Sequence, residues 1–111
     1  MESEFVAQLM SITIDNERLA ELASDAIPLL AEFSKPIDPK AEVRQRAARS
    51  QLAQVFCDKW GVTKAWLSDL IDRYEEQGHS ARLALARMSG KSALEVPDPR
   101  LTSDATQGQP A

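Results

Sequence analysis

At 111 residues, with 43% apolar, 27% charged and 5% aromatic side chains, the chain can close one modest core but not two, and must build it from Leu, Ala, Ile and Val. Its longest apolar run, residues 26–31, includes Pro28 and falls far short of the ~20 residues that cross a bilayer; the acidic start has no greasy segment behind it, so a cytoplasmic chain without a secretory signal or membrane contact is expected. One cysteine and one histidine argue against a disulfide scaffold or a His/Cys metal site, and no metal or other cofactor is expected.

Charge is segregated along the chain: residues 1–39 hold 2 basic and 8 acidic side chains, residues 40–91 hold 10 and 6, and residues 92–111 hold 1 and 3. In the acidic third, Phe5, Val6, Leu9 and Met10 fall on one stripe of a short helix. Ser11 to Ile14 alternates and is β-branched, which reads as a break. Asp15 offers a side-chain oxygen to the free amides of a second helix. In that helix Leu19, Leu22, Ala23, Ala26, Ile27, Leu30 and Phe33 recur at three- and four-residue steps to about residue 33. Pro28 predicts a kink near Asp25.

Pro36 and Pro39 mark a linker, with Asp38 as cap and Pro39 as first residue of the next helix. From there to Trp60 the sequence predicts one helix, or two abutting near Ser50, with Val43, Ala47, Val55 and Phe56 available to a core. Gly61 breaks the chain. A helix from Lys64 to Gln77 follows, with Leu67, Leu70, Ile71 and Tyr74 inside and Gly78 at its end; a last helix runs to about Ser89, stopped by Gly90. Beyond Pro97 no apolar rhythm remains, and a frayed tail is expected. The predicted fold class is all-α: a small helical bundle with residues 1–35 as an acidic amphipathic arm, 36–39 as linker, 40–91 as a basic region and 92–111 as a flexible tail.

The run Val55-Phe56-Cys57-Asp58-Lys59-Trp60-Gly61-Val62-Thr63-Lys64-Ala65-Trp66-Leu67-Ser68-Asp69-Leu70 has the makings of a tight two-helix corner. A glycine permits a left-handed turn, and Cys57 is the small residue where the helices cross. Val62 plugs the corner, Thr63 caps the second helix, and Leu67 and Leu70 pack it. Over about residues 50–78 this run resembles helix-turn-helix DNA-binding proteins of the small phage or plasmid regulator and transposase N-terminal types. The resemblance implies that the second helix enters the major groove, with Thr63, Lys64, Trp66, Ser68 and Arg73 facing DNA. Arg44, Arg46, Arg49 and Lys59 are then available to phosphates, which suit the planar guanidinium. Two-fold pairing would double the base contacts, and Leu9, Met10, Leu22, Ile27, Leu30 and Phe33 are the expected dimer or partner residues on the arm.

Two functions follow. The first is a transcriptional regulator, such as a repressor, that binds duplex DNA as a homodimer. The second is a protein-binding anti-activator that sequesters another transcription factor; it is motivated by the acidic, apolar-striped N-terminal third and by Asp69 and Asp72, which repel phosphate from the would-be reading helix. No catalytic residues are expected: His79 has no partner carboxylate at fixed spacing, and no glycine-rich phosphate loop occurs. Cys57 reads as a small core residue, and Trp60 as a packing residue.

Overall fold

In the computed structural model, which describes residues 4–97, local capping chemistry sets most boundaries. Helix α1 spans Glu4–Met10 and α2 spans Asn16–Ser34. The Asp15 carboxylate accepts from the Glu17 and Arg18 amides at 2.8 and 3.1 Å, satisfying two donors that have no partner inside the helix. Helix α2 runs on through Pro28, which sits exposed on its surface. Helix α3 spans Glu42–Trp60 without a break at Ser50.

The start of α3 departs from the predicted cap. Asp38 closes a turn instead: its side chain accepts from the Lys40 amide and its carbonyl from the Ala41 amide. The helix begins after Ala41, which offers no capping side chain. Gly61 then ends α3 in the left-handed region at φ 66°, and the Gly61 and Val62 amides donate to the Cys57 carbonyl at 2.8 and 3.2 Å. Helix α4 spans Lys64–Ser89, capped by the Thr63 hydroxyl on the Trp66 amide at 3.0 Å. It is broken at Gly78, whose φ of 52° and ψ of −120° are not helical, as expected from the sequence. A single 3₁₀ turn, Ala93–Glu95, closes the described chain.

The described residues thus form an all-α bundle, and α4 is its centre: α1, α2, α3 and the 3₁₀ turn all pack against it. One core serves the described residues, with Phe5, Leu9, Leu22, Leu30, Phe56, Trp60, Leu70, Tyr74 and Leu85 buried together. Phe5 meets Tyr74 ring to ring at 5.2 Å. The predicted arm is therefore part of the bundle. Leu9, Leu22 and Leu30 lie in the chain's own core, and Ile27 and Phe33 pack against it. Leu9, Leu22 and Leu30 are thus taken up by the core, while Ile27, Phe33 and Met10 are half-buried.

Two other expectations are corrected. Val43 is 84% and Val55 62% exposed, and Ala47 is exposed, so of the four proposed core residues in α3 only Phe56 is buried. For Val43 and Ala47 the reason is length, since α3 meets the core only from Leu52 onward; Val55 lies past that point but at the surface of the cleft between α2 and α3. The expected flexible segment also starts too early, because residues 92–97 are docked. Val96 is buried, its carbonyl accepts from Arg82 Nε at 3.1 Å, and the Tyr74 hydroxyl donates to the Pro97 carbonyl. Residues 98–111 lie outside the described residues.

Gly61 gives a clean test, because a Cβ built there meets nothing within 4 Å. Gly61→Ala should therefore cost only the left-handed backbone term, about 1–2 kcal/mol, while Leu70→Ala at a fully buried site should cost about 2–5 kcal/mol. Urea unfolding measures both. An unchanged midpoint for Gly61→Ala would mean that the corner does not need its left-handed residue.

Candidate interaction surface

The corner built by Gly61 and Thr63 places the start of α4 in solvent. Thr63, Lys64 and Ser68 are exposed, as the DNA-facing reading requires, although the Thr63 oxygen is already committed to its cap. The rest of the expected set is scattered or occupied. Trp66 is half-buried against the core, and its carbonyl accepts from Gln8 Nε2 at 2.8 Å. Arg73 reaches Glu4 at 3.4 Å, and the Phe5 amide donates to Gln77 Oε1 at 3.2 Å. Helix α1 therefore covers the Trp66–Arg73–Gln77 side of α4. Trp66 and Arg73 are turned toward it, not toward a groove of DNA.

The phosphate-facing set divides in the same way. Lys59 is held between Glu21 and Asp25, both at 2.8 Å. Arg49 is half-buried, donating Nη2 to the Lys35 carbonyl at 2.6 Å with its guanidinium 5.3 Å from the Phe33 ring centre. Arg46 pairs with Glu42 at 2.8 Å. Arg44 is exposed and forms no ion pair with a described residue. Because α3 is continuous, Arg44 sits about 24 Å along the helix from Trp60, far from Lys64.

Around Lys59 the charges are tied to packing. The Trp60 indole donates to Asp25 at 3.0 Å, and the Arg18 guanidinium lies 4.5 Å from the Trp60 ring centre. Hydrogen bonding to Asp25, and then to Glu21, raises the Lys59 ammonium above its ordinary value. The hydrogen bond from Lys59 in turn holds Glu21 below the ordinary carboxylate range. This cluster staples α2 to α3 and is not free to meet a phosphate.

What the first half of α4 presents to solvent is mainly acidic. Lys64 and Ser68 are followed by exposed Asp69, Asp72, Glu75 and Glu76. Lys64, Ser68, Asp72 and Glu75 form one edge of a cleft of about 410 Å³ floored by Phe33, Ala53, Leu67 and Ile71. Partial desolvation, with Asp72 adding repulsion, raises Glu75, while Arg49 acts in the opposite sense. Buried Arg49 Nε finds no acceptor among the described residues. A second cleft, about 270 Å³ between α2 and α3, is lined by Pro28, Leu29, Leu52, Val55 and Phe56, with Ser24, Asp25 and Lys59 around them. The sequence did not disclose either cleft; the exposed Val55, read as a core position, was the one trace of the second.

Cys57 is buried where α3 meets α4, and burial raises its thiol above the ordinary value. Among the described residues no group of His, Cys, Asp and Glu is arranged to hold a metal ion, and no helix is long and apolar enough to cross a membrane. No protein-family model matches the chain, and comparison with curated proteins and with solved structures gives no match.

Two solution measurements follow. A thiol reagent at neutral pH should label Cys57 in the native protein no faster than the chain opens, because the thiol is both buried and protonated; immediate stoichiometric labelling without denaturant would contradict that. Glu21 has a lowered folded value, so its contribution to stability is present above the unfolded value and lost as pH falls through the folded one. For Lys59 the contribution is present below the unfolded value and lost as pH rises through the raised folded one. Lys59→Met should flatten both limbs of the stability–pH curve, read from urea midpoints across the pH range.

Proposed function

We propose that the protein is a non-enzymatic regulator that works by binding another protein, an anti-activator that occupies a transcription factor, and does not read duplex DNA. One observation carries this reading: before the Gly78 break, the solvent face of α4 holds Asp69, Asp72, Glu75 and Glu76 against a single exposed cation, Lys64, while α1 engages Trp66 and Arg73. Carboxylates at the reading positions oppose phosphate and leave only cytosine amino groups to accept from. The apolar cleft between α2 and α3, with Val55 at its surface, has the character of a groove that accepts a partner's amphipathic helix.

A second reading, a DNA-binding regulator resembling helix-turn-helix proteins, draws support from the exposed Lys64 beside a capped, glycine-turned corner and from the exposed Lys40 and Arg44. Salt separates the two. Each phosphate neutralised contributes about −0.9 to the slope of log affinity against log salt.

Fluorescence anisotropy with random-sequence duplexes should show no binding tighter than about 10⁻⁴ M at ~0.1 M salt, the weak end of non-specific affinity. With a purified transcription-factor partner, Val55→Asp should weaken the complex by about tenfold or more, leaving the fold intact because the site is exposed. A duplex complex with a steep salt slope, weakened by Lys64→Ala, would overturn the protein-binding reading in favour of the DNA one.

A further inference from the structure

The first two turns of α3 carry no core contact, yet they are well-formed helix. Val43, Arg44, Arg46, Ala47 and Ala48 are all exposed, and Ala41 supplies no cap. Short helices without a packed face are marginal in water. What holds this overhang is polar: Gln45 donates to the Pro36 carbonyl and accepts from the Asp38 amide, and Arg49 anchors its base to Lys35 and Phe33. Its charge is basic, from Lys40, Arg44 and Arg46 with one counter-charge at Glu42.

The cleft beside α4 has the opposite character. Its apolar floor ends in Asp72 and Glu75, and Phe33 in that floor lies 5.3 Å from the Arg49 guanidinium, so the cleft adjoins the base of the overhang. Overhang and cleft are thus neighbours in one chain, meeting at Arg49. The overhang from Glu42 to Arg49 is about 10 Å long and the α4 edge from Lys64 to Glu75 about 16 Å, so the first fits along the second.

We infer that a second copy of this chain is the occupant of the cleft. In a two-fold dimer with its axis near Arg49, the overhang of each copy lies in the acidic cleft of the other. Lys40 and Arg44 of one copy face Asp72 and Glu75 of its mate, and Val43 and Ala47 cover Phe33 and Ile71. The arrangement is self-complementary, as a closed two-fold interface requires, and of the residues first expected to pair it uses only Phe33. It shares Asp72 and Glu75 with the acidic α4 face cited for the protein-binding reading but leaves the cleft between α2 and α3 open to a partner. The contact is small and charged, so association should be weak and salt-sensitive.

Charge reversal tests this directly with the full chain. Sedimentation equilibrium at low salt should give a concentration-dependent mass rising toward twice the chain mass of 12.3 kDa. Variant one, Lys40→Glu with Arg44→Glu, leaves the Glu42–Arg46 pair intact and should be monomeric. Variant two, Asp72→Lys with Glu75→Lys, should be monomeric as well. All four positions are exposed, and circular dichroism confirms that each variant is folded. Mixed in equal amounts, the two variants should regain the dimer, because in the mixed pair one contact joins reversed overhang to reversed cleft and the other is native. A wild-type chain that stays monomeric at low salt would overturn the proposal and leave the cleft to another occupant. So would dimers that survive in either variant, or folded variants that fail to recover the dimer on mixing.

Discussion

Everything in this fold leans on α4. It is broken once, at Gly78, and every other helix and the 3₁₀ turn pack against it. Leu67, Leu70, Tyr74, Ala81 and Leu85 are buried along its length. A helix with that many neighbours has little surface left for a ligand. Helix α1 takes the side of Trp66, Arg73 and Gln77, and residues 92–97 take the side of Tyr74 and Arg82. The face that holds Lys64, Ser68, Asp69, Asp72, Glu75 and Glu76 stays open in its first half, and its charge is what any functional reading must explain.

That constraint reorders the significance of the two-helix corner. Gly61 in the left-handed region and Thr63 as cap are needed to turn the chain sharply, whatever the protein does. They position Cys57 and Leu67 in the core. A corner of this kind is thus accounted for by packing alone, and function has to be argued from the side chains it leaves outside.

Local chemistry was legible in the sequence because each signal acts over a few residues. The Asp15 and Thr63 caps, the Gly61 and Gly78 breaks and the burial of Cys57 and Trp60 follow from single side chains and short spacings. Asp38 misled because an Asx-type turn and an N-cap use the same carboxylate on neighbouring amides; only the path of the following chain distinguishes them. Val43, Ala47 and Val55 misled for a different reason. Their spacing is helical, but nothing in the sequence says where α2 ends alongside Val43 and Ala47, or that Val55 sits at the surface of the α2–α3 cleft. The docking of α1 on α4 was illegible because Phe5 and Leu9 on a short stripe serve a core or a partner equally well. The choice rests on contacts 58 to 72 residues away in the chain, such as Gln8 with Trp66 and Phe5 with Gln77.

Charge segregation, by contrast, was visible from the start and changes meaning in three dimensions. Along the chain it reads as an acidic arm followed by a basic region fit for phosphate. In the folded molecule Lys59, Arg49 and Arg73 are engaged by neighbouring elements, with Lys59 and Arg73 neutralised by Glu21, Asp25 and Glu4. The basic surplus that survives is concentrated in the overhanging start of α3, and the acidic surplus of α4 lies close beside it. A duplex presents one sign of charge over its whole length and could satisfy only the first of these two patches. A surface carrying both signs side by side is complementary to one that carries both signs as well.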